Sequence, residues 1–200
     1  MSHDLRTPMN AIIGYTALME KHWGEKEVTA GYLQKLKEAG NFLMDLIGNI
    51  LEVARIESGK ETLTETAWNL CNLEDTLDLL LDRDIYKKQL TLKKNMELQH
   101  PKVYCDVLKV REITMNLLSN AVKYTPEGGT IHFTIRELPY EREGYALFQT
   151  VVEDTGIGIS KEYIPHLFEA FTREKSSSES GIIGTGLGLR IVKKFVDLME

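Results

Sequence analysis

Between residues 36 and 56 the chain carries two apolar sets at helical spacing, and a helix that is apolar on two sides cannot stand alone. Leu36, Leu43, Ile47, Ile50 and Ala54 make one stripe; Ala39, Phe42, Leu46, Val53 and Ile56 make the other. An earlier stretch, Leu5, Met9, Ile12, Thr16 and Met19, has the same period and is set apart by Trp23-Gly24 and charged residues 25–27. The two stretches predict a helical hairpin, in which one partner covers only part of the second helix. Two hairpins about a two-fold axis would hide both stripes in a dimeric four-helix bundle. The competing arrangement lets the rest of the chain cover the surplus.

Ser58-Gly59 reads as a helix stop, and beyond it strand-like and helix-like segments alternate, an α+β or α/β texture. Residues 62–70 and 90–94 read as extended, and 73–88 and 107–123 as helical. Residues 130–138 and 145–153 read as an antiparallel pair joined by the polar stretch 139–144. A helix over 160–171, N-capped by Ser160, and another over 187–200 complete the pattern. The polar, glycine-bearing stretch 172–186 between them offers little to bury.

Composition removes several classes. Lys and Arg number 24 against 30 Asp and Glu, a net charge of −6 that has the wrong sign for a nucleic-acid partner. No apolar run approaches the roughly 18 residues of a membrane span, and Ser2-His3-Asp4 after Met1 is not a secretory signal. Cys71 and Cys105 are too few for a disulfide scaffold or a zinc site and read as reduced thiols in a cytoplasmic protein.

Three motifs carry chemistry. Asp154-Thr-Gly-Ile-Gly-Ile159 follows a strand; Gly156 and Gly158 permit a sharp turn and close ligand approach, and the Asp154 carboxylate can accept from an amino group such as adenine's, although a plain turn explains the glycines equally. Asp-Thr-Gly is also the active-site triplet of aspartic proteases, but no second triplet is present. Gly184-Thr185-Gly186-Leu187-Gly188-Leu189 opens the last helix, where free amides and the helix dipole favour an anion; its spacing is neither a dinucleotide fingerprint nor a P-loop, and a flexible loop with a helix cap is the bland alternative. Asn116 and Asn120 share a helix face, where an amide oxygen suits Mg²⁺, and Lys123 can offer a cation to the same phosphates.

Together these segments resemble the nucleotide-binding domain shared by sensor histidine kinases, Hsp90, DNA gyrase and MutL. Asn116-Leu-Leu-Ser-Asn120-Ala-Val-Lys-Tyr124-Thr matches the N box, Asp154-Thr-Gly-Ile-Gly the first glycine box, Phe168-Glu-Ala-Phe171 the F box and Gly184-Thr-Gly-Leu-Gly the second. The resemblance implies an α/β sandwich, a mixed sheet with helices on one face, that binds ATP. Asn120 would bind Mg²⁺, Asp154 would hold the adenine amino group, Lys123 and Tyr124 would flank the nucleotide, and residues 172–186 would form a lid. ATP-hydrolysing branches usually carry a glutamate where Asn116 stands; an amide cannot act as that base, which points away from a gyrase-like ATPase.

Ser2-His3-Asp4-Leu5-Arg6-Thr7-Pro8, read locally, makes Thr7 an N-cap and Pro8 the first helical residue. Beside an ATP site it resembles the phosphoacceptor box of the histidine kinases, and the resemblance then covers nearly all 200 residues. It implies that the helix continues upstream, that His3 attacks the γ-phosphate, that Asp4 holds the other ring nitrogen, and that Thr7 orients water for dephosphorylation of the partner. The expectation is the core of a sensor histidine kinase: residues 1–58 a dimerising phosphotransfer hairpin, residues 59–200 the ATP-binding domain, a response-regulator receiver domain as partner. Further helix, a linker and a sensor, membrane-bound in many such proteins, are expected upstream, and a final pair of strands downstream. The competing class is a non-catalytic dimeric scaffold or phosphatase that binds ATP weakly.

Overall fold

The computed structural model describes residues 2–59, 61–174 and 184–199, with Ser2 and His3 described in their backbone alone. Helices α1 (Ser2–Lys21) and α2 (Lys26–Glu57) form the hairpin. Its turn is closed by the Thr29 hydroxyl donating to the His22 carbonyl at 2.9 Å, and Tyr15 stacks on Tyr32. At the far end of α2 the Ser58 hydroxyl donates to the Arg55 carbonyl at 2.8 Å, and Gly59, at φ +65°, turns the chain out of the helix as a side chain could not without strain.

The helix stop therefore holds, but the local reading of Thr7 and Pro8 as a helix start does not: α1 begins at Ser2 and runs through Pro8. The proline nitrogen has no hydrogen for the carbonyl one turn back, yet Pro8 is buried, and apolar burial offsets the lost bond.

Helix α3 (Asn72–Lys87), helix α4 (Val107–Tyr124) and helix α5 (Gly188–Met199) belong to the second unit. Strand β1 (Thr66–Asn69) pairs antiparallel with β3 (Lys102–Cys105). Strand β2 (Thr91–Glu97) runs parallel to β4 (Thr130–Leu138), which pairs antiparallel with β5 (Leu147–Asp154), giving the mixed sheet β2-β4-β5. On β4 the alternate residues Ile131, Phe133 and Ile135 are buried against Leu73, Leu77 and Leu81 of α3 and Leu118, Ala121 and Val122 of α4. Two helices thus cover one face of the sheet, as expected.

Two elements depart from the sequence reading. Strand β3 had no forecast; it is four residues long and is recruited by the distant β1. The helix expected over 160–171 is only a 3₁₀ turn at Ile164–His166. Pro165 explains this, because it withholds a donor and pushes its predecessor away from helical geometry, and Phe171 then reverses the chain at φ +62°.

The double stripe of α2 finds two covers. Leu46, wholly buried, packs with Ile50, Val53, Ile56 and the Leu5 side chain of α1 against Leu187, Ile191, Val192 and Phe195 at and within α5. Ile50, expected with the rest of its stripe inside the bundle, lies instead in the joint between hairpin and second unit. Met44, Ile47 and Leu51 of α2 and Met9 and Ile13 of α1 remain exposed in the single chain.

Candidate functional site

The site begins with α4, which is fixed at both ends. Asp106 caps its start, accepting from the Lys109 amide at 3.2 Å and, with its other oxygen, from the Thr64 amide at 2.9 Å. At the other end the Thr125 hydroxyl donates to the Ala121 carbonyl at 2.6 Å. Between these ends spacings of four and then three residues set Asn116, Asn120 and Lys123 along one cleft.

Strand β5 delivers Asp154 to the same cleft. Its Oδ1 accepts from the Gly156 amide at 2.8 Å, and Oδ2 has no hydrogen-bond partner among the described residues. A Cβ on Gly156 would lie 2.7 Å from the Tyr124 carbonyl, so the residue must be glycine for the first glycine segment to seat on α4. The Ile157 amide completes that seat by donating to the Tyr124 carbonyl at 3.3 Å.

The second glycine segment forms the opposite wall. The Gly186 carbonyl accepts from the Phe171 amide at 3.0 Å, joining it to the Phe168–Phe171 turn. Gly186 stands at φ +68°, and a side chain there would also lie 2.8 Å from the Thr172 carbonyl. Leu187 is wholly buried, so only its backbone can serve a ligand. A Cβ on Gly184 would fall on the Lys123 ammonium, and one on Gly188 would lie 2.6 Å from Asn116 Oδ1. Asn116 therefore packs at the root of the segment, its own amide donating to the Glu112 carbonyl at 3.0 Å. Residues 175–183, within the stretch expected as a lid, lie outside the described residues.

These walls enclose about 830 Å³, closed on the hairpin side by Asp45, Asn49 and Glu52 of α2. Lys123 lies over the Tyr124 ring, 5.0 Å from its centroid. Burial, with the like charge of Arg173, lowers the Lys123 ammonium to about 8. The Glu112 carboxyl is raised, first by burial and then by neighbouring Glu52. The cleft thus half-desolvates the Lys123 ammonium beside a like charge at one end, while Glu112 and Glu52 crowd the hairpin side. The Asn120 amide lines the cleft and makes no hydrogen bond to another described residue. The described residues hold no cluster of His, Cys, Asp or Glu able to cage a metal. One neutral amide oxygen suits a Mg²⁺ ion that takes its remaining ligands from phosphates and water.

At the N-terminus His3 lies in the first turn of α1, its side chain outside the described residues; Asp4 is half-buried and Thr7, one turn on from His3, is exposed. Leu5 packs into the cluster that joins α2 to α5, which draws this end of the hairpin to the second unit. Sequence reasoning missed Asn49, whose amide donates to the Thr185 hydroxyl at 3.2 Å, and it missed Arg173. A polar residue on a helix has no local mark of a partner 136 positions away. Arg173, two residues after the Phe168–Phe171 motif, does carry a local mark, a cation next to the second glycine segment's turn, and it lines the cleft.

Residues 1–59 match the family described as the His Kinase A (phospho-acceptor) domain, and residues 105–200 match the histidine kinase-, DNA gyrase B-, and HSP90-like ATPase. The whole chain aligns at 37% identity with the sensor protein GacS of Pseudomonas syringae pv. syringae, covering 22% of that protein. It aligns at 30% with the autoinducer 2 sensor kinase/phosphatase LuxQ of Vibrio vulnificus, covering 23% of it. The chain thus spans about a fifth of the curated relatives it matches. Among solved structures, full-length ShkA in complex with AMPPNP superposes with a TM-score of 0.69 at 27% identity, over 99% of this chain and 40% of that one. The histidine kinase ThkA in complex with the response regulator protein TrrA superposes with a TM-score of 0.67 at 25% identity, over 86% of this chain and 48% of that one.

Proposed function

Since the chain belongs to the sensor histidine kinases, enzymes that phosphorylate a histidine at the expense of ATP, we propose that it moves the γ-phosphoryl group of ATP to His3 and then to an aspartate of a response regulator. The observation that carries this reading is the convergence of Asn120, Lys123, Asp154 and the glycines at 184, 186 and 188 on one cleft that abuts the hairpin. We divide the chain at 58/59, where α2 ends and Gly59 turns the backbone, into phosphotransfer hairpin and ATP-binding unit.

In this reading Asp154 Oδ2 accepts from the adenine amino group while Oδ1 remains held by Gly156. Lys123 meets the phosphates, the backbone amides of Gly184, Thr185, Gly186 and Gly188 donate to them while that of Leu187 holds the Thr185 hydroxyl, and Tyr124 and Gly158 bound the nucleotide. Asn120 would hold Mg²⁺, which supplies charge neutralisation across the phosphates. Neutral His3 attacks phosphorus in line; a P–N bond forms, the P–O bond to ADP breaks, and the ring proton stays on the nitrogen held by Asp4. Asn116 cannot abstract a proton from water, which disfavours hydrolysis at that position. Thr7 then orients water for removing phosphate from the regulator's aspartate, the phosphatase arm of the same proposal. The exposed apolar residues of the hairpin support a homodimer. No described helix is long and apolar enough to cross a membrane; an upstream sensor, membrane-anchored or not, belongs to the proposal, and a cytoplasmic setting for this segment with it.

Titration calorimetry with Mg-ATP on the wild-type chain, Asp154→Asn and Asn120→Ala tests the site. The charge-assisted contact of Asp154 is worth roughly 1.5–3 kcal/mol, so affinity should fall at least tenfold. Equal affinities in all three would refute the assignment and favour a scaffold.

A further inference from the structure

The C-terminal end of α4 is held by one side chain from outside the cleft. The carbonyls that close a helix have no partner within it. Here Ala121 receives the Thr125 amide and hydroxyl, and Tyr124 receives the Ile157 amide. The carbonyls of Val122, Lys123 and Thr125 all accept from Lys88, whose Nζ lies 2.8, 2.9 and 3.0 Å from them. An ammonium has three donors and no other way to bond, so these contacts use its whole capacity. Its charge also faces the negative end of the helix dipole. Lys88 is itself anchored: its amide donates to the Asp84 carbonyl at 3.1 Å, and its carbonyl accepts from the Gly128 amide at 3.0 Å.

We propose that Lys88 is a positioning residue for the nucleotide, acting through the last turn of α4 on Lys123, Tyr124 and the Asp154–Gly158 segment. Lys123 and Tyr124 are the final two residues of that helix, where an uncapped end frays. The Tyr124 carbonyl is also the seat of the first glycine segment. Without Lys88 these groups must be ordered by the ligand, and affinity falls by that ordering cost. The inference deepens the ATP-binding proposal and rests on it.

The test is calorimetry of Mg-AMPPNP on the wild-type chain, Lys88→Met, Lys88→Arg and Asp154→Asn, below the melting temperature of each. Positioning predicts that Lys88→Met raises Kd by roughly tenfold with the number of sites per chain unchanged. Lys88→Arg should also bind more weakly, because a planar guanidinium cannot reach three converging carbonyls. Faster amide exchange at Ile157 and Thr125 should accompany both. A Lys88→Met variant that binds like wild type, or one that only loses sites at unchanged Kd, overturns the inference. So does normal binding by Lys88→Arg, which would reduce Lys88 to a distant charge. If Asp154→Asn binds like wild type, the ATP-site reading falls first and this inference with it.

Discussion

The Asn49 amide on the hairpin donates to the Thr185 hydroxyl of the second glycine segment across 3.2 Å, and that same hydroxyl accepts from the Leu187 amide at 3.3 Å. The helical hairpin therefore touches the glycine-lined cleft directly, beside a joint made by Leu46, Phe195 and their neighbours. Arg190 pairs with Glu57 at its edge.

That joint has an energetic order. Leu46→Ala empties a wholly buried position and should cost about 2–5 kcal/mol. Asn49→Ala removes one partly exposed hydrogen bond, about 0.5–1.5 kcal/mol, and Glu57→Gln weakens a half-exposed ion pair, at most about 1 kcal/mol. Thermal unfolding, with amide exchange read on α5, should rank the variants in that order. Equal protection of α5 in all three would mean that the joint does not form in solution.

Lys123 should make nucleotide binding pH-dependent. Its folded pKa is lowered to about 8 from the usual 10.5 because the charged form is disfavoured by burial and by Arg173. A polyanion reverses that bias, so binding takes up a proton between pH about 8 and the raised pKa of the complex, and affinity falls as pH rises through this window. Calorimetry in buffers of different ionisation enthalpy should detect the uptake near pH 8.5. Lys123→Met should bind more weakly and lose the uptake; retained uptake would assign the proton elsewhere.

The glycines should separate into two grades. A methyl group on Gly156 meets the Tyr124 carbonyl, a backbone atom that cannot swing aside, whereas one on Gly184 meets the end of the Lys123 side chain. Gly156→Ala should thus lower both melting temperature and nucleotide affinity, and Gly184→Ala chiefly the affinity. Mg-AMPPNP titration alongside thermal denaturation distinguishes them. The reverse ranking would contradict the packing described here.

The helical hairpin, the β4–β5 pair and α4 were legible in the sequence because each declares itself locally: two apolar stripes, runs rich in β-branched and aromatic residues, and Ile113, Leu117, Leu118 and Val122 on one helix face. The cleft was legible through its glycines and asparagines. Strand β3 was not, since four residues paired with a strand more than thirty positions away carry no local period. The 160–171 helix does not form because Pro165 interrupts it despite the Ser160 cap signal. The share of α2 buried by α5 was not readable either, because a stripe states that a surface needs cover and not what covers it.

Exposure on the hairpin locates the proposed dimer seam more narrowly than periodicity does. Ile47 and Leu51 are 39% and 54% exposed in the single chain, whereas Ile50 is committed to the joint. Ile47→Lys or Leu51→Lys should strand an ammonium in the four-helix bundle, at a cost of several kcal/mol, and yield monomers. Light scattering at tens of micromolar should show a dimer for the wild type alone. A wild-type monomer would refute the bundle.

The central claim, that ATP phosphorylates His3 and nothing else in the chain, is tested most directly by following label from γ-³²P-ATP into the protein in wild type, His3→Gln, Asp4→Asn and Thr7→Ala. The account predicts an acid-labile, alkali-stable label that His3→Gln abolishes, that Asp4→Asn reduces by roughly 10²-fold through loss of ring orientation and charge compensation, and that Thr7→Ala leaves largely intact while slowing dephosphorylation of the regulator. Label retained by His3→Gln, or equal damage to the kinase step from Asp4→Asn and Thr7→Ala, would contradict it.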